Sequence, residues 1–131
     1  MFFTIDPSNG LAIYDQIVRQ IKFAVAGEVI RPGELVPSVR ELARSLAVNP
    51  NTVARAYRGL QADGVLAGVR GTGLEVTSQA PKHCRQQRLK LIQQRLRSML
   101  AEAEQSGLGR DKIRSLIDEE LTRLQRKEKS Q

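Results

Sequence analysis

Residues 37–60 read PSVRELARSLAVNPNTVARAYRGL, and the fold follows from them. Ser38-Val39-Arg40-Glu41 has the form of a capping box. In that motif the Ser38 hydroxyl can accept from the Glu41 N–H, and the Glu41 carboxylate can accept from the Ser38 N–H. Leu42, Ala43 and Leu46 give this short helix an apolar face, and Ala47-Val48 makes a tight turn. Asn49 is a favoured N-cap, and Pro50 sits at the first position of the next helix, where a missing N–H costs nothing. That helix runs to about Asp63 and stops at Gly64. On a wheel of ~100° per residue, Val53, Ala56, Tyr57 and Leu60 cluster on one side, and Asn51, Arg55, Arg58 and Ala62 fall opposite. A core does not need that polar face. Its amide and guanidinium groups suit adenine edges, guanine edges and phosphates, while the small residues Thr52, Ala54 and Gly59 permit close approach. Its N-terminal N–H groups can also face a phosphate. Two helices so joined form a helix-turn-helix, whose second member enters a DNA major groove while the first, here with Arg40, crosses the backbone.

Upstream, Ile13, Ile17, Ile21 and Ala24/Val25 recur at helical spacing, widened by Tyr14 and Val18, so an amphipathic helix is expected over about residues 11–26, ending at Gly27. Asp6-Pro7-Ser8-Asn9-Gly10 before it and Arg31-Pro32-Gly33 after it are turn chemistry. Downstream, two β-prone runs, Val65–Arg70 and Leu74–Thr77, flank Gly71-Thr72-Gly73 and predict a hairpin. A helix-turn-helix followed by a hairpin is a winged helix. The glycine tip is no nucleotide loop, because no helix pattern follows it and the full glycine fingerprint is missing. A polar helix face with two arginines is ordinary by itself. Here the caps, the turn length and the hairpin agree with it independently.

The 131 residues carry a net charge of +7, which favours polyanionic partners. The charge is uneven. Residues 1–80 hold 8 Lys+Arg against 7 Asp+Glu, and residues 81–131 hold 13 against 7. It is the motif, and not bulk charge, that points to DNA. One cysteine, Cys84, excludes an internal disulfide and fits a reducing compartment. No basic leader and no apolar run of ~18 residues is present, so a cytoplasmic chain without a membrane partner is expected.

Ser78–Lys82, with Pro81, is expected as a linker between a DNA-binding domain over 1–77 and a helical tail over 83–131. Leu89, Ile92, Leu96, Met99/Leu100 and Ala103 mark one tail helix, and Ile113, Leu116, Ile117, Leu121 and Leu124 mark another; Ser106–Gly109 joins them. Arg126–Gln131 is a charged end expected to fray. Two helices cannot close a core alone, so these seams are expected to pair between two chains in a four-helix arrangement. They are too few to enclose an effector pocket, and no small-molecule effector is expected. Lys82, Arg85, Arg88, Lys90, Arg95 and Arg97 form a basic run with no acid among them. It has two readings: pairing with Asp118, Glu119 and Glu120 of the same or a second chain, or lying along flanking phosphates. His83 and Cys84, next to that linker, are adjacent and so point in different directions on a helix; they read as solvated linker-like residues, and no second Cys/His cluster exists, so no metal or other cofactor is expected. No carboxylate pair or Ser/His/Asp set has catalytic context, so no enzyme is expected.

PSVRELA, then VNPNTVARAYRGL, then G-x-G in the hairpin resembles the GntR family of bacterial transcription regulators. The opening IDPSNGLAIYDQIVRQIK and the short tail resemble its YtrA subfamily. The resemblance covers about residues 4–77; in the tail it rests on length and helical pattern. It implies a dimeric winged-helix repressor on an inverted-repeat operator, with DNA contacts at Arg40, Asn49, Asn51, Thr52, Arg55 and Gly71. Ser38 at the helix start, Arg58 on the exposed face and Arg70 beside the tip complete the candidate set. Ala12 stands where the family usually has proline, and Thr72 where the tip often has a basic residue, for which Arg70 can substitute. The fold expected is mainly α with a small β-hairpin: an N-terminal winged helix-turn-helix followed by a C-terminal two-helix dimerisation hairpin. The rival readings are a winged helix used as a protein-interaction or assembly module, and an architectural or activating DNA-binding factor.

Overall fold

A computed structural model describes residues 4–129; the outermost residues of the lead and tail, 1–3 and 130–131, lie outside the described residues. The elements are α1 (Ile13–Ala26), α2 (Val39–Leu46), α3 (Pro50–Ala62), β1 (Leu66–Val69), β2 (Gly73–Val76), α4 (Ala80–Gln105) and α5 (Arg110–Lys129). The chain divides into two compact units, one ending at Lys90 and one starting at Leu91.

In the first unit, α1 contributes Ile17, Ile21 and Val25 to the core, α2 contributes Leu42 and Ala43, and α3 contributes Val53, Ala56, Tyr57 and Leu60. Val65, Leu66 and Val76 close it from the hairpin. β1 and β2 are antiparallel, pairing Leu66 with Val76 and Val69 with Gly73. The three-residue tip needs a left-handed residue, and Gly71 supplies it at φ 80°. A third extended segment lies along β2. The Gly33 N–H donates to the Val76 carbonyl at 2.8 Å, and the Val36 N–H donates to the Leu74 carbonyl at 3.0 Å. The Val76 N–H donates back to the Glu34 carbonyl at 3.0 Å. The turn at Arg31–Gly33 is legible in the sequence but this pairing is not, because four residues before a proline carry no alternation long enough to mark a strand.

α1 holds the lead in place through one buried amide. Gln16 is 3% exposed and sits on the apolar stripe. Its Oε1 accepts from the Asp6 N–H at 2.9 Å, and its Nε2 donates to the Asp6 carbonyl at 2.8 Å, the Leu11 carbonyl at 3.0 Å and Asn9 Oδ1 at 3.1 Å. A buried amide whose oxygen and nitrogen both find partners is compatible with a core. One turn on, Gln20 holds Thr4 in the same way.

Gly27 caps α1 as expected, with φ −88°, and the residue after it, Glu28, takes the left-handed conformation at φ 60°. Two expectations need correction. Residues 80–82 are not linker: they form the first turn of α4, and Ala80 and Cys84 are fully buried in the core of the first unit. A helical wheel gives the physical reason. At ~100° per residue, the seam from Leu89 to Leu100 lies roughly 80–160° from Cys84, so one helix carries two apolar faces and the longer masks the shorter. The charged end continues as helix to Lys129 instead of fraying from Arg126.

In the second unit, α4 and α5 are joined by a turn in which Gly107 takes φ 95°. Beside that turn, Leu100 and Glu104 face Ile113, Arg114 and Ile117 across a small cavity. The rest of the seam is open to solvent within the chain. Ile92 and Leu96 are 51% exposed, Leu121 58% and Leu124 61%.

Candidate nucleic-acid interface

α2 starts as its sequence requires. The Glu41 N–H donates to Ser38 Oγ at 3.1 Å, and the Ser38 N–H donates to Glu41 Oε1 at 3.3 Å. At the start of α3, Asn49 Oδ1 accepts from the Asn51 N–H at 2.8 Å, and Pro50 is the first helical residue. Between the helices Ala47 adopts φ 54°, ψ 46°, which reverses the chain in a minimum of residues. The segment before α2 is tied to α3 by the buried Tyr57, whose hydroxyl donates to the Pro37 carbonyl at 2.6 Å. Burial, with a smaller contribution from the Glu41 charge, pushes the Tyr57 phenol well above its ordinary range, so it remains a donor.

This framework leaves the candidate groups at the surface. Ser38, Arg40, Asn49, Asn51, Arg55, Arg58, Arg70 and Gly71 are exposed, and Thr52 is half-buried. Ser38 and the tip residues Thr72 and Gly73 line one groove of about 720 Å3, so the start of α2 and the wing tip share a concave surface. The Arg55 guanidinium carbon lies 3.7 Å from the centre of the Tyr14 ring, over its face, a cation–π pair between α3 and the first turn of α1. Periodicity puts Tyr14 only in the apolar stripe of α1, because it says nothing of partners on separate helices.

Behind the candidate face, Asp63 joins three helices. It caps α3, and its carboxylate oxygens lie 2.8 Å from Lys22 Nζ of α1 and 3.1 Å from His83 Nε2 of α4. Desolvation raises the Asp63 carboxyl, but hydrogen bonds from Lys22 and His83, and their charges, outweigh it and hold the carboxyl below its ordinary range. His83 is thus a structural partner and not a linker residue. The buried Cys84 beside it has its thiol pushed up chiefly by desolvation, which disfavours the reactive thiolate. Among the described residues, Lys82, Arg85, Arg88, Lys90 and Arg97 form no ion pair, and Glu120 pairs with Arg123 of its own helix at 3.2 Å. Among the described residues no group of three or more potential metal ligands comes together, and no helix is long and apolar enough to cross a membrane.

A capped helix-turn-helix with a three-segment wing and an exposed Asn/Arg face on its second helix defines a winged-helix DNA-binding protein. The family described as bacterial regulatory proteins, gntR family, matches residues 13–76. The HTH-type transcriptional repressor YtrA of Bacillus subtilis is 33% identical over 115 residues, covering 88% of this chain and 88% of that protein. A solved GntR family transcriptional regulator from Listeria monocytogenes is 33% identical with a TM-score of 0.65, covering 88% of this chain and 98% of that one. The AraR DNA-binding domain, solved in complex with operator ORE1, is 25% identical with a TM-score of 0.50, covering 59% of this chain and 94% of that one. The chain belongs to the GntR family and is YtrA-like along most of its length. It is a DNA-binding transcriptional regulator and not an enzyme.

Proposed function

We propose that this regulator is a cytoplasmic repressor that binds an inverted-repeat operator as a homodimer, without a small-molecule effector. The observation that carries the DNA reading is α3 itself. Val53, Ala56, Tyr57 and Leu60 are buried, while Asn51, Arg55 and Arg58 on the same helix are exposed and not required by the core. In this reading Asn51, Thr52, Arg55 and Arg58 face the major groove. Ser38, Arg40 and Asn49 meet the backbone, and Arg70 and Gly71 at the wing meet the flanking strand. Leu89, Ile92, Leu96, Leu100, Ile113, Leu116, Ile117, Leu121 and Leu124 form the dimer seam, supported by how much apolar surface one chain leaves in water. A twofold dimer then reads two half-sites about one helical turn apart and blocks polymerase by occupancy. The repressor sense is supported by likeness to YtrA, named a repressor.

Selection from random duplex DNA at physiological salt tests the reading. Wild type should enrich a palindrome that Arg55→Ala loses, and no enrichment by wild type would refute sequence-specific binding. Leu96→Asp with Leu121→Asp should turn a sedimenting dimer into a monomer with weak operator affinity. A variant that still dimerises would remove the seam from the proposal.

A further inference from the structure

Arg55 does not stand alone on α3. Its guanidinium carbon lies 3.7 Å from the centre of the Tyr14 ring. Tyr14 is half-buried in the first turn of α1 and packs against the core. The ring is therefore a fixed platform, while Arg55 is exposed. A free arginine samples many rotamers and must be ordered before it can make a two-pronged contact. Stacking on an aromatic face uses the face of the guanidinium and leaves its in-plane N–H groups available. Those are the groups that pair with guanine O6 and N7.

We propose that Tyr14 is a positioning residue for DNA readout: it fixes the Arg55 guanidinium before DNA arrives, and so sets how strictly one base is read. This rests on the reading of Arg55 as a base contact. Tyr14 thereby brings α1 into specificity, although no feature of α1 needs to touch a base.

The test is a double-mutant cycle on the selected operator, read by fluorescence anisotropy together with base preference at each operator position. Arg55→Ala should weaken operator binding and relax one position in each half-site. Tyr14→Leu should weaken operator binding roughly three- to tenfold, the scale of one stacked cation–aromatic pair, and relax that same position. Tyr14→Phe keeps the ring and should restore both readouts. Binding to unrelated duplex should not change. In the Arg55→Ala background Tyr14→Leu should cost nothing further. Tyr14→Met, which fills the same space with a flexible side chain, guards against a packing failure of leucine. The proposal is overturned if the Tyr14→Leu cost persists without Arg55, if it is equal for operator and unrelated DNA, or if the variant binds as well as or better than wild type. If Arg55→Ala itself leaves base preference unchanged, base readout by Arg55 fails, and the role of Tyr14 fails with it.

Discussion

Replacing Asp63 by asparagine should destabilise the first unit by about 2 kcal/mol at pH 7, and the loss should disappear in acid. The magnitude lies between two limits. Exposed ion pairs contribute about 0–1 kcal/mol, whereas removing one partner of a buried pair costs about 3–5 kcal/mol. The Lys22 side chain is 12% exposed and that of Asp63 30%, so the ammonium left behind would be mostly, not wholly, shielded from water. His83 loses its partner in the same step. The pH dependence follows from the lowered Asp63 carboxyl. A depressed folded-state value means that the stabilisation is complete above the unfolded carboxylate range, near pH 4, and is lost as pH falls through the folded value. A protonated Asp63 is electrically equivalent to asparagine, so the two proteins should converge. Urea denaturation at fixed protomer concentration, from pH 7 down to pH 3, measures the gap directly. A gap below about 0.5 kcal/mol at pH 7 would refute the reasoning, as would one that stays constant through the acid range.

Three further outcomes follow from single contacts. Tyr57→Phe leaves the Pro37 carbonyl without its donor and should cost about 1–2 kcal/mol in the same urea assay. Gln16→Leu removes the four hydrogen bonds that hold residues 6–11, so amide exchange across the lead should accelerate far more than exchange in α3. Ala47→Gly relieves the left-handed backbone at φ 54° and should raise stability by about 0.5–1 kcal/mol without changing DNA affinity, measured by urea melts and anisotropy.

The two helices of the DNA-reading motif were legible because their signals are local. Ser38 with Glu41, and Asn49 with Pro50, act within one helical turn, and the hydrogen bonds they predict are the ones that form. The buried faces of α1 and α3 were legible for a related reason, since helical period alone decides which side chains share a surface. The candidate DNA face is the part of α3 that no core requires, so the same period that marks the core also marks that face.

The order of elements, their caps, the apolar faces of α1 to α3 and the family they resemble are therefore written in local sequence. Packing between elements is what sets Tyr14 under Arg55, gathers Lys22 and His83 around Asp63, pairs residues 33–36 with β2, and completes the core with Ala80 and Cys84. Each of these joins groups far apart in the chain, through contacts that no period or spacing encodes. They exist only once packing has fixed the distance and orientation between one element and another.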